Sequence, residues 1–207
     1  NLIVLSAMSG TTNSLVEISD YLYKKNPDGA NEIINKLSQK YFGHIDELYA
    51  TEAYKEKARE LVTFHFDHIR SFTKDLFTLF EEKVVLAQGE LISTGMMNLY
   101  LQEQGVNSVL LPALDFMRTD KNAEPDPVYI KEKLNRLLEE NADADLYITQ
   151  GYICRNAYGE IDNLQRGGSD YTASLIGAAL PADEIQIWTD IDGMHNNDPR
   201  VVEHTEA

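Results

Sequence analysis

At 207 residues the chain can bury a substantial core, as one large domain or most of one. Its 34 acidic against 18 basic residues give a formal charge of −16, with 43% hydrophobic and 25% charged residues, so the imbalance reflects few basic residues and no acidic tail. Binding to nucleic acid or an anionic membrane is thereby disfavoured, and an anionic substrate must be held by a few placed Arg or Lys side chains or by backbone N–H groups. The single Cys154 rules out an internal disulfide framework, and no apolar run approaches the roughly 18 residues of a membrane span. "NLIVLSAMSG" lacks the basic start of a signal peptide, so a cytoplasmic setting is expected. The chain starts without Met, and the expectation is a domain incomplete at both ends.

Leu2 to Leu5 form a short apolar run, a buried strand, followed by the polar loop "SAMSGTTN" and a helix over Ser14 to Lys24, where Ser14 and Glu17 form a capping box. From Asp28 to about Glu81 the pattern is helical. Ala58, Leu61, Val62, His65, Ile69, Phe72, Leu76 and Phe80 fall on one face, and breaks are expected near Gly43 and Ala50. A helix from Val84 to Glu103 precedes a buried strand in "NSVLLPAL" and the irregular "DFMRTDKNAEPDP". Asp126 and Pro127 fit N-cap and first helical position for a helix to about Glu140. "LYITQGYI", "GSDYTASLIGAAL" and "EIQIWTDI" then alternate strand, helix, strand, the rhythm of βαβ units and a parallel sheet covered on both faces.

Four stretches could carry chemistry, each with a plainer reading beside it. "SAMSGTTNS" joins a strand to a helix start, which suits an anion, although Ser, Thr and Asn are also ordinary caps. In "LQRGGSDYTA", Gly167 and Gly168 let the backbone approach a ligand, Ser169 can cap the next helix and Arg166 offers a bidentate donor fork. Asp170 suits the helix dipole there, or an acid that orients a reactant. "WTDIDGMHNNDPR" follows the carboxyl end of an expected strand, where open α/β sheets collect ligands; turn formation is the alternative, and its glycine comes too early for an EF-hand. Glu90 lies in the apolar "AQGELISTG", where a solvated or capped glutamate is the more usual outcome. His65 and His68 lack further ligands for zinc, and His65 reads as a core histidine. No P-loop or G-x-G-x-x-G fingerprint occurs.

Taken in order, "VLSAMSGTTNSL", "QGELIST", "FMRTD", "ITQGYI", "RGGSDYTA" and "WTDIDGMHNNDPRVV" resemble the aspartate kinase branch of the amino acid kinase family, over residues 4 to 202. The resemblance implies a three-layer α/β/α sandwich with a mainly parallel sheet, carrying a helical insertion over about 28–82. It implies transfer of the γ-phosphoryl of Mg-ATP to the side-chain carboxylate of L-aspartate, the entry to lysine, threonine and methionine synthesis, in a full-length homo-oligomer. Glu90 would receive the substrate ammonium and Arg166 its α-carboxylate. Ser6, Thr12 and Ser169 would surround the side-chain carboxylate, with the Gly167 and Gly168 backbone close by. Thr189, Asp190, His195 and Arg200 would contact ATP, and Asp170 would orient the cationic group that stabilises the transferring phosphoryl.

The family's Lys-Phe-Gly-Gly-Thr-Ser strand and its regulatory ACT domains have no counterpart in the sequence, so the fragment by itself is expected to be inactive. Gln165 stands where glycine is usual, and His195 where an aromatic nucleotide contact is common. Glutamate, or another small amino acid, is the alternative substrate. A non-catalytic amino-acid or nucleotide sensor is the alternative of a different class.

Overall fold

A computed structural model describes residues 1–74, 76–164, 168–189, 197, 201, 202, 204 and 205. Strand β1 (Leu2–Leu5) runs into helix α1 (Thr11–Tyr23), followed by α2 (Pro27–Leu48), α3 (Glu52–Ser71) with a 3₁₀ turn at Phe72–Lys74, and α4 (Leu79–Glu103). Strand β2 (Ser108–Leu110), the short α5 (Ala113–Phe116) and α6 (Pro127–Glu140) come next. Strand β3 (Leu146–Gln150), the hairpin β4 (Ile153–Arg155) and β5 (Ile161–Asn163), and α7 (Gly168–Ala179) complete the order. The architecture is α/β: β1, β3 and β2 form a parallel sheet in that spatial order, and β4 and β5 form an antiparallel ribbon.

Side chains alternate across the sheet as the pleat requires. Leu2, Tyr147 and Val109, in register across the three strands, pack with α6 and α7. Leu5 faces the other way, toward α2 and α4. Two cores result. One lies mainly among helices, with Leu15 and Ile18 of α1, Ile34, Tyr41 and Ile45 of α2, and Val62, Phe66 and Ile69 of α3 closing on Val85 and Ile92 of α4. The second joins the sheet to Phe116, Ile130, Leu134 and Ile176. Helix α4 is the wall between them, and from Val84 to Met96 only Leu91 is partly exposed. A helix buried all round takes its polar residues out of water, so each of them calls for a partner.

Helix starts follow capping chemistry. Asp126 Oδ1 accepts from Tyr129 N at 3.0 Å with Pro127 in the first turn, as the sequence indicates. Helix α4 begins at Leu79, earlier than Val84, because Thr78 and Glu81 form a capping box in which Glu81 Oε2 accepts from Thr78 N at 2.8 Å. Thr78→Ala is expected to cost about 1 kcal/mol, read as a lower urea midpoint at unchanged slope.

Several sequence expectations are corrected. No capping box forms at Ser14 and Glu17: α1 starts at Thr11 behind Gly10, whose φ of 79° suits glycine, and Ser14 bonds back to Gly10 O. Gly43 does not break α2, because the buried stripe through Leu37, Tyr41 and Ile45 outweighs a single glycine's low propensity; the break falls at Tyr49–Thr51. Leu76 and Phe80 leave the apolar face and are exposed, since the chain turns at Phe72 and restarts its helical phase at Leu79. The strand expected in "NSVLLPAL" ends at Leu110, because Pro112 caps a helical turn, and "LYITQGYI" divides at Gly151. Residues 184–189 of the strand expected at "EIQIWTDI" form neither strand nor helix, and among the described residues no neighbouring strand supplies them a hydrogen-bond ladder.

Polar groups in the cores are largely paired. His65 is a core histidine, its Nδ1 2.7 Å from Gln88 Oε1, and burial lowers its pKa. Cys154 is fully buried on β4, and burial, with Asp162 adding, pushes its thiol up to about 12. Lys83 of α4 ties the ribbon down through Asp162 at 3.0 Å. Among the described residues no helix is long and apolar enough to cross a membrane.

Candidate active site

The three parallel strands end at one rim, the position at which open α/β sheets bind ligands. β1 leads there into Ser6–Gly10, and β3 into Gly151 and Tyr152, with Gly151 N bonded to Leu5 O at 2.9 Å. Helix α4 passes beneath. A Cβ on its Gly89 would stand 2.9 Å from that of Ala7 and 3.3 Å from Leu15, so glycine is what lets the helix touch the loop. Ser93 Oγ donates to Ser6 O at 2.8 Å, and Ala7 N donates to Glu90 Oε1 at 3.3 Å.

Glu90 is the unusual group. It is only 4% exposed, and its Oε2 is buried without a partner. Burial pushes its carboxyl up to about 7, against the smaller opposing pull of backbone hydrogen bonds. Tyr41, whose hydroxyl lies 2.8 Å from Thr11 Oγ1, and Tyr152 are both pushed up to about 12, first by burial and further by the Glu90 charge. The solvated or capped glutamate expected from sequence is thus corrected, because α4 is enclosed between two cores.

From the β3 end, Gln150 Oε1 accepts from Ala113 N at 2.8 Å while its Nε2 donates to Thr94 Oγ1 at 2.8 Å. Thr94 in turn donates to Glu90 O at 2.7 Å, so buried bonds fix the backbone beneath the carboxylate. Gly151 and α7 are in near contact: a Cβ on Gly151 would meet the Ser169 hydroxyl and lie 2.8 Å from Ser169 Cα. Gly168 leaves similarly little room, 2.7 Å to the Tyr152 ring.

These contacts bring Ser6, Glu90, Gly168 and Ser169 to one rim. Thr12 lies exposed in the first turn of α1, beside buried Thr11. Asp170 lies exposed in the first turn of α7, its carboxylate without a partner among the described residues. Thr189 is exposed, and no described contact joins it to the rim. Arg166, Gly167, Asp190, His195 and Arg200 lie outside the described residues. Gly89, Gln150, Gly151, Tyr152 and Thr172 also build the rim and are not singled out by the sequence, although a Gln-Gly-Tyr run closing an apolar strand is a usable signal.

A family model, that of the amino acid kinase family, matches residues 1–207. The chain belongs to the amino acid kinase family. It is 32% identical over 207 residues to lysine-sensitive aspartokinase 3 of Escherichia coli (strain K12), covering 97% of this chain and 44% of that protein. It is 30% identical over 209 residues to the bifunctional aspartokinase/homoserine dehydrogenase 2 of the same organism, covering 98% and 25%. The crystal structure of E. coli aspartokinase III in complex with aspartate and ADP (R-state) superposes with a TM-score of 0.82 at 31% identity, covering 99% of this chain and 46% of that one. As an amino acid kinase family member the chain thus spans less than half the length of these relatives.

Proposed function

We propose that this chain is catalytic-region sequence of a longer Mg-ATP-dependent aspartate kinase, making 4-phospho-L-aspartate. The observation that carries the reading is Glu90. A buried carboxylate with an orphan oxygen at a ligand rim calls for a cation, and the ammonium of an amino acid supplies both the charge and the missing donors. The relatives named aspartokinase, and the one crystallised with aspartate and ADP, support aspartate as that amino acid.

In this reading Glu90 holds the ammonium and Arg166 the α-carboxylate. Ser6, Thr12 and Ser169, with the backbone of Gly167 and Gly168, align the side-chain carboxylate. One of its oxygens attacks the γ-phosphorus as the bond to the ADP oxygen breaks. The nucleophile is already ionised at neutral pH, so no general base is needed, and catalysis is alignment and charge neutralisation. Thr189, Asp190, His195 and Arg200 hold ATP, and Asp170 orients the cation beside the transferring group.

Among the described residues no group of three or more His, Cys, Asp or Glu is arranged to hold a metal. The donors present fit Mg²⁺ even so, because such an ion would need only one or two carboxylates beside a bound nucleotide, and Asp170, exposed at the rim and without a partner among the described residues, would supply one. Bound there, the ion would neutralise the charge developing on the phosphates.

The whole of residues 1–207 would then be one kinase domain with the helical block at 28–82 as its insertion. The intact protein would be a cytoplasmic homo-oligomer serving lysine, threonine and methionine synthesis. The test is coupled ADP release by the intact protein with aspartate, glutamate and acetylglutamate. Turnover of aspartate well above the others is expected, and equal or better turnover of a rival acid overturns the assignment.

A further inference from the structure

Tyr152 has a backbone φ of 66°, the left-handed region that a side chain bearing a Cβ rarely adopts. Both of its backbone polar groups are tied. Tyr152 N donates to Thr172 Oγ1 at 3.0 Å, and Tyr152 O accepts from Leu164 N at 2.8 Å. Thr172 is fully buried on α7, and its own hydroxyl proton goes to Gly168 O at 2.7 Å. A Cβ on Gly168 would lie 3.1 Å from Tyr152 Cα. Leu164 and Gly168, the residues on either side of 165–167, therefore both close on Tyr152. One hydroxyl accepts from Tyr152 N and donates to Gly168 O, which serine can copy and valine cannot.

We propose that Thr172 is a positioning residue: through Tyr152, its hydroxyl sets the placement of Leu164 and Gly168, and beside Gly168 that of Ser169, which the aspartate kinase reading sets against the substrate. The functional half of this rests on the aspartate kinase reading. Thr172 itself, buried beneath the rim, touches no reactant.

The test compares Thr172→Val and Thr172→Ser in the intact protein. In Thr172→Val, amide exchange at Tyr152 and Leu164 is expected to quicken about tenfold while the α2 core is unchanged, and the aspartate KM to rise about tenfold with the ATP KM within about twofold. Thr172→Ser should return both readouts to near wild type. Unchanged exchange at Tyr152 and Leu164, or an equal rise in both KM values, overturns the proposal. Gly151→Ala tests the same placement from the opposite side: its methyl would press on Ser169 and should produce the same KM split, and an unchanged aspartate KM there also overturns it. A wild-type protein that does not turn over aspartate overturns the kinase reading instead, and the exchange comparison then decides the anchoring by itself.

Discussion

Glu90→Gln is expected to raise the thermal midpoint at pH 8 by roughly 5–10 °C while raising the aspartate KM at least about 50-fold. Both effects come from one carboxylate. Its value in the folded protein is about 7 against 4.5 for the free side chain. The folded state therefore holds this proton more tightly than the unfolded chain. The stability so gained is complete below the unfolded value and is lost as pH rises toward 7. Above that, the buried charge costs up to about 3 kcal/mol relative to a group that stays neutral. A glutamine keeps the bond from Ala7 N without the charge, so calorimetry should find the variant more stable at pH 8 and little changed at pH 4.

The function suffers for the same reason. A neutral amide cannot pair with an ammonium, and the wild-type protein must lose a proton to do so. Its aspartate KM should be about tenfold higher at pH 6 than on the plateau above pH 8. The variant should show no such slope. A wild-type KM that stays flat from pH 6 to 8 would remove Glu90 from substrate binding.

Arg166→Ala is expected to lower kcat/KM for aspartate by two to three orders of magnitude, about 3–4 kcal/mol, and to leave the ATP KM within about threefold. The size follows from losing a charge-assisted, bidentate contact to a carboxylate in a protein whose overall charge of −16 repels that ligand. Arg166→Lys should recover only part of the loss, since an ammonium gives a point charge and no fork. Steady-state kinetics with aspartate varied at saturating ATP decides it: an unchanged aspartate saturation curve would end the assignment of Arg166 to the α-carboxylate.

What could be read in the sequence was what is decided locally. The Asp126–Pro127 start of α6 and the extent of β1 depend on neighbours within a few residues, and both stand where their residues indicate, but the burial expected of β1 does not: Ile3 is exposed and its neighbours are only half-buried. The failures share the opposite cause. Ser14 is an adequate cap, but Gly10 can turn left-handed and let the helix begin earlier; Gly43 is a weak helix residue, but Tyr41 and Ile45 are buried by other helices. At the site, residue types signal the chemistry while packing decides the meeting. Nothing local to "AQGELISTG" says that Glu90 will lie between two cores. Likewise Thr172, by sequence an ordinary helical threonine bonding back to Gly168 O, accepts its second bond only once β3 has delivered Tyr152 to it.

The enclosure of Cys154 has a practical corollary. A thiol at 0% exposure, with its ionisation pushed to about 12, offers almost no thiolate at neutral pH to alkylating or oxidising reagents. Within these 207 residues, a cysteine engineered at an exposed position outside the proposed substrate contacts, such as Trp188, would react far faster than Cys154. A fluorophore could then be attached there, with the natural sulfur left in place as a silent bystander.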